Sequence, residues 1–355
     1  MVIAAVVGLI TSAAACAVAI GVLRHLGALD VPNARSSHGR ATIRGAGVGV
    51  ACGTVTGVVA AVALYGGTGW PMRATSILVA ASLSAGVIGL VDDLRDGTSF
   101  RVRLAVQVIV VSSAVLALGA GDTDLPWSAL LLAGAVVGVV GYVNAFNFMD
   151  GINGISGGAA FVAGVMFAVV GRLEGLLLLE AGGAALAAAC LGFLPFNVPT
   201  ARAFLGDVGS YFIGAWIALL AFVAILAGVP LDVVLAPLAL YLADVGFTLA
   251  SRVRRGEAWH TAHRDHAYQR LAASGLGHMG TTALVLSFIL GLSGLGLLSL
   301  RMPAWRAAAW PAMVGLLAAY LAAPALVRRH QGRTQPAGSP SAAHHDRVSE
   351  GPGSR

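Results

Sequence analysis

The feature that most constrains this chain is its succession of long apolar runs joined by short connections. Eleven stretches, at about 2–23, 46–66, 74–91, 104–121, 127–147, 155–171, 176–195, 210–229, 231–250, 280–300 and 308–327, are candidates to cross a bilayer, which takes about 20 residues of helix. They consist largely of Ala, Leu, Val and Gly, without period-2 alternation. That pattern predicts helices and argues against a membrane β-barrel. Charged residues make up 11% of the chain, against roughly 25% in a soluble domain. The expected fold class is therefore all-α: a polytopic membrane helical bundle of about eleven transmembrane helices over residues 1–327. A tail at 328–355, rich in Pro, Gly, Ser and Arg, is expected to be disordered.

Orientation follows from the basic residues, all 22 of which are Arg. With the amino terminus outside, the inside segments hold 18 of them and the outside segments 4. Basic residues favour the cytoplasmic side. The first apolar run lacks a basic leader and is followed by Arg24, which reads as a retained helix rather than a cleaved signal. The net charge of +6 fits this topology and attraction to anionic lipid heads. No nucleic-acid motif accompanies it. Cys16, Cys52 and Cys190 lie scattered in apolar runs, without metal or redox spacing, and read as small core residues.

Five polar clusters fall on the predicted cytoplasmic face, whereas the outside loops are short and plain. In "VDDLRDG", Asp92, Asp93 and Asp96 crowd the end of a predicted helix, where the dipole is already negative. A cation relieves that crowding, and oxygen-only ligands favour Mg²⁺, Mn²⁺ or Ca²⁺ over zinc. A hydrated loop with an Arg95 or Arg101 ion pair is the plain alternative. In "NAFNFMDGINGISGG", Asn144, Asn147 and Asp150 recur at three-residue spacing before Gly151 and Gly154. An Asn in a membrane helix needs a partner. In "FNVPTARAFLGDVGS", Asp207 sits between Gly206 and Gly209 at a helix start. Such a start suits phosphate oxygens, a carboxylate there can hold the metal that holds the phosphate, and Asp207 or Ser210 can equally be a plain N-cap.

In "HTAHRDHAYQRL", His260, His263 and His266 stand beside Arg264 and Arg270. Zinc spacing is absent, and the mixture of His and Arg suits a diphosphate. The segment "DVPNARSSHGRATIRGAG" carries Pro32, Asn33, Arg35, His38 and Arg44 into a Gly-rich helix start, an anion-binding pattern.

Taken together and in order, "DVPNARSSH", the Asp pair, N-x-x-N-x-x-D-G and F-L-G-D-x-G-S resemble the polyprenyl-phosphate N-acetylhexosamine-1-phosphate transferase family over about residues 1–300. The resemblance implies that Asp207 is the principal Mg²⁺ ligand (Mn²⁺ serving as substitute), with Asp92 and Asp93 as the nearby acidic pair. It implies that Asn147 and Asp150 serve the nucleotide-sugar site, with Asn197 near the nucleotide. Arg44, His263, Arg264 and His266 are expected on the sugar or the phosphates. The implied reaction transfers an N-acetylhexosamine 1-phosphate from a UDP-sugar to undecaprenyl phosphate and releases UMP, at the cytoplasmic face of a bacterial inner membrane. Substrates and membrane lipids are the expected partners, nucleic acid is not, and a second copy of the chain is left open. "AHRDHAYQRL" resembles the branch that starts O-antigen-type polysaccharides. Asn153, Ile43 and Ala46 depart from the family's usual residues.

Two other classes compete. "DDLRD" matches the D-D-x-x-D of an intramembrane prenyltransferase, but "FLGDVGS" is not the second Asp-rich motif such an enzyme needs. A transporter would place charges at mid-membrane depth, often with inverted repeats. Here only Glu180, Asp232 and Asp244 fall in or beside apolar runs. Asp244 reads as a partner for Arg252 or for a neighbouring helix.

Overall fold

The computed structural model describes residues 1–25, 27, 29–30, 42–65, 69–94, 99–119, 128–258 and 263–334. The described residues are helical almost throughout, and ten helical stretches among them are long and apolar enough to cross a membrane. In chain order the helices are α1 (Val2–His25), α2 (Gly47–Tyr65), α3 (Trp70–Leu94), α4 (Phe100–Gly119), α5 (Ser128–Met149), α6 (Ile155–Glu174), α7 (Leu177–Asn197) and α8 (Gly206–Leu226). Then come the short α9 (Leu231–Leu235), α10 (Ala239–Arg254), the short α11 (Ala267–Leu271), α12 (Gly277–Arg301) and α13 (Arg306–Thr334).

The run at 231–250, expected as one span, is interrupted between α9 and α10. Pro237 lies in that gap. Proline has no N–H to continue the helix, and its ring crowds the preceding turn. The remaining ten runs and this broken one account for the eleven stretches read from the sequence. α13 runs past 327 to Thr334; the rest of the tail, with Pro32, Asn33, Arg35, His38, Arg95, Asp96 and His260, lies outside the described residues.

Burial is graded from the centre outwards. The apolar stretch of α8 is 94% buried, that of α1 22% and that of α13 17%, so α8 is the hub. It packs against α3, α5 and α2, while α1, α2, α6 and α7 pack among themselves on one flank. The outward faces are apolar too: Ile10, Val18, Leu130 and Val137 are exposed. A face of this kind turns to lipid, and helix association then rests on close packing of small residues. A Cβ added to Gly53 would lie 2.5 Å from the Gly8 carbonyl oxygen and 2.6 Å from the Ser12 Cβ. Ser12 Oγ also donates to the Ala189 carbonyl at 2.7 Å. Cys16 and Cys190 are buried, as expected of core residues, but Cys52 lies on the exposed outer face of α2.

A small sheet, too short to leave an alternating pattern, was not foreseen. β1 (Leu29–Asp30) pairs antiparallel with β2 (Thr42–Arg44), which pairs parallel with β3 (Ala203–Phe204). Past the strands the pairing continues, with Ala46 N–H donating to the Phe204 carbonyl at 3.0 Å and Gly47 N–H to the Leu205 carbonyl at 2.9 Å. The sheet therefore brings the starts of α2 and α8 side by side.

Candidate active site

Arg44, Asp93 and Asn147, from three of the polar clusters, meet Asp207 at the first turn of α8. Asp207 projects from that turn and accepts from Arg44 Nη2 at 2.8 Å and from Asn147 Nδ2 at 3.0 Å, both on Oδ1. Arg44 comes from the end of β2, so the sheet carries it there. Its Nε pairs with Asp93 Oδ1 at 2.7 Å, making the guanidinium a bridge between two carboxylates. Asn147, from the last turn of α5, also donates to Ser210 Oγ at 2.9 Å.

Asp207 is not the cap of its own helix, and neither is Ser210. The cap comes from α3. Asp93 Oδ1 accepts the Asp207 N–H and Oδ2 accepts the Val208 N–H, each at 3.0 Å. These are two of the donors that a helix N-terminus leaves unpaired. The expectation that this N-terminus offers its N–H groups to phosphate oxygens is therefore corrected: at Asp207 and Val208 they are already engaged. Gly206 permits the arrangement. Its φ is +70°, and a Cβ there would lie 2.5 Å from Asp93 Oδ2.

Asp92, the other member of the pair, is buried. It forms an ion pair with Arg103, in the first turn of α4; Arg95, one of the two partners read from the sequence, lies outside the described residues. The Asp92 carboxyl lies near that of Asp207. Two carboxylates brought near each other favour a shared proton or a cation between them, and the donors here are all oxygen. Asp92 and Asp207 therefore suit a hard divalent ion, and Arg44 and Arg103 provide the positive charge beside them. Asp93 has both oxygens on the α8 backbone, a supporting place. Among the described residues no three His, Cys, Asp or Glu side chains form a ready-made metal cage.

The loop after α5 lies next to this cluster. Asp150 sits in it, and burial, reinforced by the negative charges of Asp207 and Asp93, pushes its carboxyl up to about 7. Asn197, expected near the nucleotide, is a buried staple: its Oδ1 accepts the Gly154 N–H at 2.6 Å and its Nδ2 donates to the Ala203 carbonyl at 3.0 Å. It ties the loop after α5 to the strand that leads to Asp207. Asn153 donates to the Pro199 carbonyl at 3.0 Å, so this departure from the family pattern serves the same tie. Asn144 finds the partner it needs in Gln107 of α4, at 2.8 Å.

The His loop reaches the same region through Tyr268, whose hydroxyl donates to the Phe148 carbonyl at 3.0 Å. The His263 and His266 rings lie 5.0 Å apart, and Phe148 lies 6.2 Å from His266. Burial, with His266 beside it, holds the His263 imidazole below the usual histidine range. Arg264 is exposed. His266 is buried and bonded to Asp244 at 3.2 Å. Arg252 is not the partner of Asp244; it pairs with Asp265 at 2.8 Å and Glu257 at 3.0 Å. The other isolated acids have local partners: Asp232 bonds Ser299, and Glu180 lies 3.9 Å from Arg172.

Sequence reasoning missed Arg103, Tyr268 and the bonding of Asp244. Arg103 carried a weak signal, a basic residue immediately before the apolar run that follows the Asp pair. Tyr268 carried none, and Asp244 stood out as an acid in an apolar run without a sign of which residues it bonds, because the partners are distant in the chain.

Residues 75–225 match the model of Glycosyl transferase family 4. The chain is 28% identical over 313 residues to a Bacillus subtilis protein named "Probable undecaprenyl-phosphate N-acetylglucosaminyl 1-phosphate transferase", covering 84% of this chain and 85% of that protein. It is 30% identical over 192 residues to the undecaprenyl-phosphate alpha-N-acetylglucosaminyl 1-phosphate transferase of Thermotoga maritima, covering 53% of this chain and 54% of that one. It is 29% identical over 303 residues to the decaprenyl-phosphate N-acetylglucosaminephosphotransferase of Mycobacterium tuberculosis, covering 71% of each. The matched region holds Asp92, Asp93, Asn147, Asp150, Asn197 and Asp207, the residues that meet around the start of α8. Residues 75–225 thus match glycosyl transferase family 4, and over most of its length this multi-pass membrane protein is similar to polyprenyl-phosphate N-acetylglucosamine-1-phosphate transferases.

Proposed function

We propose that this transferase moves an N-acetylhexosamine 1-phosphate from a UDP-sugar to undecaprenyl phosphate and releases UMP. The reaction takes place at the cytoplasmic face of a bacterial cell membrane, as the first membrane step of a cell-envelope polysaccharide. The observation that carries this reading is the convergence of Asp92, Asp93 and Asp207 with Arg44, Arg103 and Asn147 at the head of the most buried helix. The names of the relatives supply the substrate chemistry, a polyprenyl phosphate and an N-acetylglucosamine 1-phosphate.

Both substrates are anions, so bringing them together takes fixed positive charge. An oxygen of the lipid phosphate attacks the sugar-bearing phosphorus. One P–O bond forms, the P–O bond to UMP breaks, and its electron pair leaves with UMP. A phosphate monoester has a second pKa of about 6, so the acceptor is largely ionised at neutral pH and needs no base to activate it. Mg²⁺, with Mn²⁺ as substitute, suits the oxygen donors of Asp207 and Asp92; when bound it neutralises charge on the donor diphosphate. Arg44 and Arg103 supply guanidinium groups that exchange carboxylate for phosphate oxygens. Asn147 keeps Asp207 in one orientation, and Asp93 fixes the turn that bears it. Asp150, with Asn197 behind it, shapes the nucleotide-sugar side. His263, Arg264 and His266 border the sugar and phosphates. In this reading the transferase unit is 1–327, with 328–355 appended.

The test is UMP release by purified protein given undecaprenyl phosphate, Mg²⁺ and a panel of UDP-N-acetylhexosamines. Release that needs both lipid and metal, and that Asp207→Asn abolishes in a folded protein, is expected. Full activity in Asp207→Asn would remove the central role given to that carboxylate. No release from any donor would remove the reaction itself.

A further inference from the structure

Asp244 is fully buried in α10, yet its carboxylate gathers partners from three parts of the chain. Oδ1 meets His266 Nδ1 at 3.2 Å, the Ala267 N–H at 3.0 Å and Thr248 Oγ1 at 3.3 Å. Oδ2 accepts the Tyr268 N–H at 3.3 Å and the Tyr320 hydroxyl, from α13, at 2.6 Å. A buried carboxylate is costly unless it is bonded and balanced by charge. Here both carboxylate oxygens are bonded, with the His266 ring among the partners. Nδ1 of that ring is engaged by Asp244, so Nε2 is the second ring nitrogen through which it can meet another group. The ring itself lies between His263 and Phe148, the residue that follows Asn147.

We propose that Asp244 is a positioning residue for the transfer reaction: it holds the His266 imidazole by Nδ1 and so aims Nε2 at a phosphate oxygen of the donor. This rests on the reaction proposed above. Pairing of one ring nitrogen with a carboxylate fixes which nitrogen remains for chemistry. With Nδ1 held by Asp244, an Nε2–H on the same ring is the one that can donate to an anion. Tyr320 holds the other carboxylate oxygen, so α13 braces the pair from behind.

The experiment is a double-mutant cycle of Asp244→Asn and His266→Ala, read as UMP release, with detergent unfolding temperature measured for each variant. Asp244→Asn is expected to lower kcat by about ten- to a hundredfold, the scale of one hydrogen bond between charged groups. His266→Ala should lower it similarly, and the double variant should be no worse than the poorer single one. Tyr320→Phe, which leaves the His266 bond in place, should retain most of the rate.

A purely structural Asp244 would instead give additive losses, tracking unfolding temperature, and that outcome overturns the proposal. A readout independent of turnover separates this from failure of the reaction assignment. With ¹⁵N-histidine labelling, the wild-type protein should show a bonded Nδ1–H resonance that both single variants lose. Persistence of that resonance in Asp244→Asn overturns the proposal whether or not UMP is released. Its loss, with no UMP release from wild type, leaves the Asp244–His266 bond standing and overturns the role assigned to it.

Discussion

Asp93 of α3 caps the helix that Asp207 begins: its Oδ1 accepts the Asp207 N–H at 3.0 Å across 114 residues of chain. The second oxygen takes the next N–H, and Arg44 balances the charge. One side chain therefore sets both the start of the central helix and the direction in which Asp207 points. Asp93→Ala is expected to cost about 1–3 kcal/mol, the scale of hydrogen bonds to a charged group, and to lower UMP release as well. Asp207→Asn, which keeps the backbone cap, should unfold near the wild-type temperature while losing turnover. Thermal unfolding in detergent beside a turnover assay separates the two. An Asp93→Ala protein as stable as wild type would show that the cap carries little.

Gly206 makes that cap possible, and its replacement tests the geometry from the other side. At φ +70° an alanine is strained, and its Cβ would lie 2.5 Å from Asp93 Oδ2 and 2.8 Å from the Gly45 nitrogen. A non-glycine residue in this conformation costs about 1–3 kcal/mol, before the displaced carboxylate is counted. Gly206→Ala should unfold at lower temperature and lose most of its UMP release. Wild-type behaviour in both assays would mean that the turn relaxes freely.

Arg44 uses two different nitrogens on two carboxylates, 2.7 Å to Asp93 and 2.8 Å to Asp207. A lysine has one compact ammonium and cannot reproduce that fork. Arg44→Lys is therefore expected to be poor despite keeping its charge, with turnover down by about tenfold or more, the cost of one charge-assisted bond. The measurement is kcat and donor KM for Arg44→Lys beside Arg44→Ala. If Lys restored full activity, charge alone would matter at this position, and the bridge would not.

Much of this was legible in the sequence, and the reason is physical. Apolar runs of spanning length have few ways to fold, so the helical bundle followed directly. Asp92, Asp93, Asn147, Asp150 and Asp207 stood out because polar groups are costly at the ends of membrane helices. What stayed hidden is pairing across long chain separations. Nothing local tells that Asp93 turns to the α8 backbone while Asp92 turns to Arg103, since the two are adjacent and chemically identical. The strands that deliver Arg44 are two or three residues long, too short for a pattern. Asp244 reads as a partner for Arg252 or for a neighbouring helix; the neighbouring helix is α13, through Tyr320, and the bonds to His266 and Tyr268 have no local sign.

Asp150 makes a prediction about pH. Burial, with Asp207 and Asp93 nearby, raises its folded-state pKa to about 7, above the roughly 3.9 of an unfolded aspartate. The folded state therefore holds this proton more tightly than the unfolded one. Its contribution to stability is full below pH ~4 and is lost as pH rises through about 7. Asp150→Asn cannot titrate, so its unfolding temperature should decline less than that of wild type between pH 5 and pH 8. The comparison is made with a chelator present, because a bound cation would favour the ionised carboxylate and shift the window downwards. Parallel pH curves for the two proteins would mean that Asp150 is already ionised in the folded state at pH 5, and that its surroundings are wetter or more positive than this structure makes them.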